Sequence, residues 1–489
     1  MFGWLDYIVI VVYFAVSLGV GFWAGRKERD TKDFFLGGRR QHWLLAGISI
    51  VATEVSAILF IAVPGDAFKS DWSYLQMYVG SFLGRVLIVY LLLPAFYGGA
   101  VTTVYEYLGQ RFGPWTRTTA TLMFFASRIF GSGIRLLVAS LALAEVFQLP
   151  LSWVVVAATG AATAYATFGG IKAILWTDAF QASVFAGCAV LAIVLLFSFT
   201  PGSWTENLST AYDGGKFHVF TFDGGLNHEK YFWLLAIFGL FTTMAAMGTD
   251  QDLTQRMLTC PNLRAGQRSL LFNAFMTFPL VVTFLLIGSL LHLYYASPAA
   301  SPLPVHVQQR MELVFPYFMA TSLPVNTGLK GLMVTAILAA AMGSLSSAIG
   351  ALASTAVTDL YRPFQREKRD EKHYLAVARA STLFFGVLLI VMALAFANEK
   401  DLLWAVFKWV GLVFGGMLGV FLLGVATKTR GLDGANAAAM LSSTGILIAL
   451  NLFQEKSGDV FIAWPWWIVI GTVWTFAWGM MFRTRKCDG

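Results

Sequence analysis

The chain has 489 residues, 57% of them hydrophobic and 12% charged, with a formal net charge of +7. That charged share is roughly half of the ~25% usual in soluble proteins, too little to cover the surface of a water-soluble molecule of this size. A soluble enzyme or nucleic-acid-binding domain is excluded, and the positive balance reads as a membrane-topology signal.

In chain order, about thirteen apolar stretches are long enough to cross a bilayer core. They lie near 4–24, 43–64, 74–98, 117–148, 151–169, 173–199, 231–249, 269–295, 328–354, 374–397, 402–426, 435–454 and 464–482. The runs are continuous rather than alternating, which argues for helices against a β-barrel. The first has no Lys or Arg before it and is followed by Arg26, Lys27 and Arg29. A cleaved signal peptide carries its charge in front, so this stretch is expected to remain as a helix. Polar connections of at most about thirty residues leave no room for a separate catalytic domain. Cys188, Cys260 and Cys487 have no metal-ligand spacing.

Basic residues set the expected orientation. With the N-terminus outside, inner segments hold 22 Lys and Arg, among them Lys32, Arg39, Arg256, Arg366, Lys368, Arg485 and Lys486. Outer segments hold six: Lys69, Lys216, Lys230, Arg310, Lys400 and Lys456. Basic loops resist translocation, so the C-terminus is expected inside. Met311 to Met319, in an outer loop, forms a short amphipathic piece suited to covering an entrance.

The second span is interrupted by Ala52-Thr53-Glu54 and closed by Pro64-Gly65; five spans later, the seventh carries Thr242-Thr243 and ends in Gly248-Thr249-Asp250. Interrupted helices at matching positions of two five-span halves point to an inverted-repeat transporter. The expected organisation is an extra helix and linker over 1–42, a first half over 43–199 and a loop over 200–230. A second half follows over 231–426, then two peripheral helices and a tail over 427–489.

Ionisable groups deep in hydrocarbon cost about 2.5–3.5 kcal/mol each on the insertion scale. The candidates are Glu54, Arg85, Arg128, Arg135, Asp178 and Lys408. Arg128, Gly131, Ser132 and Arg135 share one helical face, and an arginine fork suits a carboxylate. One arginine is placed to hold an anionic solute while the other pairs with an acid; the bland alternative pairs Arg128 with Glu54. The ninth span carries Ala339 to Ser347, with hydroxyls at Ser344, Ser346 and Ser347. Hydroxyls, with carbonyls freed around Ala52 to Val55, supply the hard oxygen ligands that sodium prefers. Asp178 adds a fixed negative charge. Three arginines (Arg85, Arg128, Arg135) against two acids (Glu54, Asp178), plus sodium, leave a positive site that favours an anion.

These segments resemble the sodium/solute symporter family, whose members carry proline, galactose, sialic acid, iodide and monocarboxylates with sodium. Asp33-Phe34-Phe35-Leu36-Gly37-Gly38-Arg39 is similar to a segment before the family's first core helix. Trp176-Thr177-Asp178 with Gln181, Asp250-Gln251-Asp252 with Gln255-Arg256, and Ala340 to Ser347 resemble three further family motifs. The resemblance spans essentially the whole chain. It implies a five-plus-five inverted repeat with discontinuous helices and alternating access driven by sodium. It also implies a principal sodium site from carbonyls of Ala52, Val55 and Ala340 with hydroxyls of the Gly343 to Ser347 segment. Asp178 with Ser346 and Ser347 matches a second sodium site of some members, and Glu54 falls where proline carriers have an aspartate. Arg128 and Arg135 lie on the helix that supplies a carboxylate-binding arginine in sialic acid carriers, shifted by several residues. Gly343 stands where several members have serine.

The expected protein is therefore an all-α polytopic membrane carrier importing a small anionic carboxylate with sodium. Its substrate residues are expected among Arg128, Ser132, Arg135, Glu54 and Thr242, and its partners are solute, sodium and lipid, with no nucleic acid. The expected location is the plasma membrane, the inner membrane in a bacterium. The rivals are a neutral sugar or zwitterionic amino acid as solute, a proton-coupled version through Glu54 or Asp178, a sensor and a membrane enzyme. No nucleophile–base pair lies at mid-membrane, and all six histidines fall in loops or near helix ends, against the last of these.

Overall fold

In lipid a segment must close its own backbone hydrogen bonds, so apolar runs of this length fold as helices. The computed structural model describes residues 2–25, 31–225, 227–298, 300–365, 369–399, 402–458 and 460–483. Arg26, Lys27, Arg29, Arg366, Lys368, Lys400, Arg485, Lys486 and Cys487, and the side chain of Lys32, lie outside the described residues. The helices are α1 (Trp4–Gly25), α2 (Trp43–Glu54), α3 (Ile58–Lys69), α4 (Ser73–Gly98), α5 (Val104–Arg111), α6 (Pro114–Phe147) and α7 (Leu151–Phe199). Then come α8 (Phe232–Gly248), α9 (Gln251–Leu258), α10 (Leu263–Ala296), α11 (Leu329–Tyr361), α12 (Glu371–Ala395), α13 (Leu402–Ala426), α14 (Asp433–Ser457) and α15 (Trp466–Met481).

Among the described residues, nine helices are long and apolar enough to cross a membrane, and two bent pairs raise that to eleven. The shorter apolar stretches Leu151–Ala164 and Trp466–Met481 occupy the two remaining expected positions. Gly170, at φ 51° in the left-handed region that glycine tolerates, divides α7 where the sequence places two spans.

The bent pairs stand at the first helix of each expected half: α2 and α3 meet at 54°, and α8 and α9 at 61°. The first break lies at 55–57, just past Glu54. Pro64-Gly65 does not close this span, as the sequence reading had it; helix continues to Lys69. A wide π-turn at Ile58–Ala62 precedes Pro64 and takes up the amide that proline lacks. The same device recurs at Ile88–Leu92 before Pro94 and at Ala356–Tyr361 before Pro363.

Contacts sort the loops into two ends. At one, Lys172 pairs with Asp33 at 2.6 Å, Arg39 donates to Val101 O, and Arg117 pairs with Asp359 at 2.7 Å. At the other, Lys216 donates to Phe68 O and Ser70 O, and Lys230 pairs with Asp71. Met311, at this second end, packs its backbone on Gly65. Buried Asp6 pins α1 to the start of α11, accepting from Gly3 N (2.9 Å), Asn326 N (3.2 Å) and Gly331 N (3.3 Å).

Close packing between α4 and α8 depends on two glycines. A Cβ at Gly80 would overlap the Ala236 carbonyl, and one at Gly239 the Met77 carbonyl. Small residues permit such approach where lipid supplies no hydrophobic drive. Gly239→Ala is therefore expected to destabilise by about 1–3 kcal/mol, the usual cost of overpacking. The check is the apparent thermal midpoint of purified protein, against Gly187→Ala, where a Cβ meets nothing within 4 Å.

Candidate functional site

The site starts from the first helix break. The Ser56 amide, which in a continuous helix would close on Ala52 O, donates instead to Glu54 O at 2.9 Å. The Ala52 carbonyl is thereby released from its helical donor, and Val55 leaves helical geometry at ψ 72°. Helix α11 packs against α2 with the small run Ala339-Ala340-Ala341 buried. Ser344 Oγ lies 3.0 Å from Ala340 O and 3.1 Å from Ala341 O. Buried carbonyls and a hydroxyl are the hard, uncharged oxygens a dehydrated sodium ion takes, so these residues fit that cargo.

Beside the break lies a cavity with about 130 Å³ open to the centres of water-sized molecules. Glu54 from α2, Arg128 and Arg135 from α6, and Thr242 and Asp250 at the α8 end supply its polar wall. Ile58, Met77, Val406, Phe407 and Phe414 supply apolar walls. Tyr74, on the cavity side, meets Trp404 edge-on at 5.8 Å between ring centres. Beyond Trp404 opens a wider vestibule of about 530 Å³ at the Lys230 end.

Two ion networks frame the cavity. Arg85 pairs with Glu54, donates from Nε to Asn273 Oδ1 at 2.8 Å, and reaches Ser81 Oγ at 2.5 Å. The other Glu54 oxygen accepts from Asn273 Nδ2 and Thr277 Oγ1, each at 2.8 Å. In the second network Arg128 bridges Asp250 (2.5 Å) and Asp252 (3.1 Å). Asp252 pairs with Arg256 (2.7 Å), and Arg256 reaches Asp178 Oδ2 (3.1 Å) and Ser49 Oγ (2.8 Å). Ser49 donates in turn to Asp178 Oδ2 at 2.5 Å. Asp250 also caps α9, accepting from Asp252 N at 2.9 Å.

These contacts revise several expectations. Arg128 pairs with Asp250 and Asp252, not Glu54. The charge sum of three arginines against two acids becomes four against four, because Asp250, Asp252 and Arg256 join it. Arg256, counted among loop charges, is 1% exposed in this network. Lys408 is not deep in the bundle: it lines the vestibule, 3.7 Å from Glu455 and over the Trp467 ring. Ser132 is buried but does not line the cavity. Ser346 Oγ donates to Gly343 O, and Ser347 Oγ to Ser344 O with Asp252 Oδ2 3.4 Å away. The structure thus brings Glu54, Arg128, Arg135 and Thr242 to one cavity, with Asp178 behind the second network. The partners Asp250, Asp252 and Arg256 were visible only as a motif; their one legible signal is the i,i+4 spacing of Asp252 and Arg256.

Two bent helix pairs meeting at a polar, half-apolar cavity inside a bundle that is helical among the described residues define a secondary transporter of the inverted-repeat class. Sequence and structure comparisons give the particular family. The model of the sodium:solute symporter family matches residues 34–442, and the chain belongs to that family. It is 28% identical to the sodium/sialic acid symporter SiaT of Proteus mirabilis (strain HI4320) over 469 residues, covering 92% of each. It is 29% identical to human sodium-coupled monocarboxylate transporter 1 over 443 residues, 89% of this chain and 71% of that one. A solved sodium-coupled sialic acid symporter, substrate-bound and outward-open, superposes with a TM-score of 0.88 at 26% identity, covering 98% of both chains. The protein is a multi-pass, sodium-coupled membrane transporter, and sodium is its co-transported ion.

Removing one partner of a buried ion pair costs about 3–5 kcal/mol, because the other charge stays buried. Arg128→Gln is expected to lower the thermal midpoint clearly, with partial recovery in Arg128→Gln/Asp250→Asn. Arg135→Gln, which removes a guanidinium with no acid beside it, is expected to leave it unchanged or raise it. Thermal unfolding of the three variants in the absence of solute checks this.

Proposed function

We propose that the chain imports a small organic anion of the carboxylate class, bound at Arg135 and coupled to sodium by alternating access. One observation carries the reading. Arg135 lines the cavity and has no hydrogen bond or ion pair among the described residues, while Arg85, Arg128 and Arg256 are matched by acids. A half-buried guanidinium whose Nε is buried without a partner is costly, and a carboxylate answers it with a planar, two-point fit. Sialic acid and monocarboxylates, named for two relatives, both carry that group. Thr242 Oγ1, buried and unpartnered on the facing wall, donates to the bound solute. Arg128 and Glu54, each held by its network, shape the cavity and complete the substrate set; Ser132 has no part in it.

Sodium is held by the carbonyls of Ala52, Val55 and Ala340 with Ser344, bridging α2 and α11, and Asp178 anchors a second ion. In this reading Ser346 and Ser347 turn toward Asp178 only when that ion is bound. Bridging two helices from different halves, 43–199 and 231–426, stabilises one access state and tightens solute binding; by reciprocity solute tightens sodium. Tyr74 and Trp404 close the cavity from the vestibule. The vestibule faces outside, with the N-terminus outside and the C-terminus inside the plasma membrane, or the inner membrane in a bacterium. The basic residues at the Asp33 end support that orientation.

Thermal unfolding in sodium chloride and in choline chloride, against carboxylates, sugars and amino acids, tests the reading. A carboxylate is expected to raise the midpoint only with sodium. Arg135→Gln should weaken that ligand by about 10- to 100-fold, the loss of a charge-assisted contact. Stabilisation by a sugar or zwitterion alone, unaffected by Arg135→Gln, overturns it.

A further inference from the structure

The wall of the cavity beside the first break divides sharply between polar and apolar groups. Arg128 Nε, Arg135 Nε and Thr242 Oγ1 are buried there without a hydrogen-bond partner among the described residues. All three belong to α6 and α8. Other hydroxyls on the wall are spent within the protein. Thr53 Oγ1 donates to Ser49 O at 2.8 Å, Ser127 Oγ donates to Phe124 O at 3.0 Å, and Ser81 and Thr243 share a bond of 2.6 Å. Hydrocarbon comes from α3 as Ile58 and Leu59, from α4 as Met77, and from α13 as Val406, Val410 and Phe414. Spaced four residues apart, the last three form one stripe along α13. The stripe meets α6 at Gly131, where a Cβ would lie 3.3 Å from Val410 Cγ2 and 4.0 Å from Val406 Cγ2. Gly131 is about one turn from Arg128 on one side and from Arg135 on the other.

This division bears on which acids the cavity accepts. A guest hydroxyl that leaves water and finds no partner costs its full desolvation, whereas a guest methylene gains from burial. With Thr53, Ser81, Ser127 and Thr243 committed, a polyhydroxylated body would give up its water for few new bonds. Size adds a second limit. The open space of about 130 Å³ holds on the order of ten non-hydrogen atoms, at about 10–15 Å³ of such space for each water-sized group. A methyl at position 131 would narrow it where the valine stripe meets α6.

We propose that the cavity selects a compact carboxylate with a hydrocarbon body. Arg135 takes the carboxylate, the face of α13 that carries Val406, Val410 and Phe414 seats the body, and Gly131 sets the width of that seat. The inference rests on the carboxylate reading above and narrows it, setting acids with hydroxylated chains apart from those without. Specificity then comes from a helix that, among the described residues, brings no charged side chain to the cavity. The arginine fixes which end of the solute is held, and the valine stripe and its facing glycine decide what is attached to that end.

The test is a ligand titration of the thermal midpoint of purified full-length protein in sodium chloride. Isovalerate and β-hydroxybutyrate have the same shape and differ by a methyl for a hydroxyl. Isovalerate should bind about 10- to 100-fold more tightly. From propionate to hexanoate, affinity should rise about three- to fourfold for each added methylene. Gly131→Ala should cut the preference for hexanoate over propionate by about tenfold, because the added methyl overfills the seat. Val410→Thr, which keeps the shape and adds a hydroxyl, should cut the preference for isovalerate over β-hydroxybutyrate by about fivefold. Midpoints without ligand report folding; if Gly131→Ala is unstable there, Val410→Thr decides. Binding of β-hydroxybutyrate as tight as isovalerate, or wild-type preferences in both variants, would overturn the proposal and leave the carboxylate reading in place. If no carboxylate raises the wild-type midpoint, the carboxylate reading itself fails.

Discussion

A bilayer interior offers no water to a freed carbonyl or an isolated charge, so every break in a helix there must be answered by another part of the protein. Among the described residues two bent helix pairs carry such breaks, and the cavity beside them is built from the answers. At 55–57 the Ser56 amide turns back on Glu54 O and leaves the Ala52 carbonyl without its helical donor. At 249–250 the Asp250 carboxylate caps the next helix and takes Arg128 from α6. The Arg85–Glu54 pair, with Asn273 and Thr277, satisfies the side chain that ends α2.

One consequence is electrical continuity. Arg128 stands at the cavity wall and Asp178 at the far end of the second network, and Asp252 and Arg256 join them through contacts of 2.7–3.1 Å. In a medium of low dielectric, a charge added near Asp178 is felt along that line. The network also crosses α2, α6, α7 and the α8–α9 bend, so a change in one helix's position shifts partners in the others. Rigid helices joined by paired charges rearrange between discrete packings rather than deforming smoothly, as alternating access requires.

The motif residues that looked like a signature have individual mechanical roles. Gln251 accepts from Val104 N and donates to Thr102 O, fastening α5 to the second break. Gln255 donates to Phe35 O at 2.6 Å, and Asp33 holds Lys172 beside Gly170. Gly37 and Gly38, at φ 58° and 65°, carry the linker through a left-handed turn that other residues strain to adopt. These segments clamp the second break from the Asp33 end, while Tyr74 and Trp404 stand over the cavity at the other.

The sequence by itself determined the membrane class, the positions of the helices and the two interrupted spans, because hydrophobic length and local breakers act over neighbouring residues. It also placed Glu54, Arg128, Arg135 and Thr242 as the polar groups of buried helices, since each is conspicuous in an apolar run. Pairing lay beyond it. Whether Arg128 meets Glu54 or Asp250 depends on side chains up to 122 positions apart in the chain, and local patterning carries no information about which of two acids the bundle brings within 3 Å. Only the tertiary structure decided which arginine stands without an acid beside it among the described residues, because that is a difference between partners and not a property of any residue.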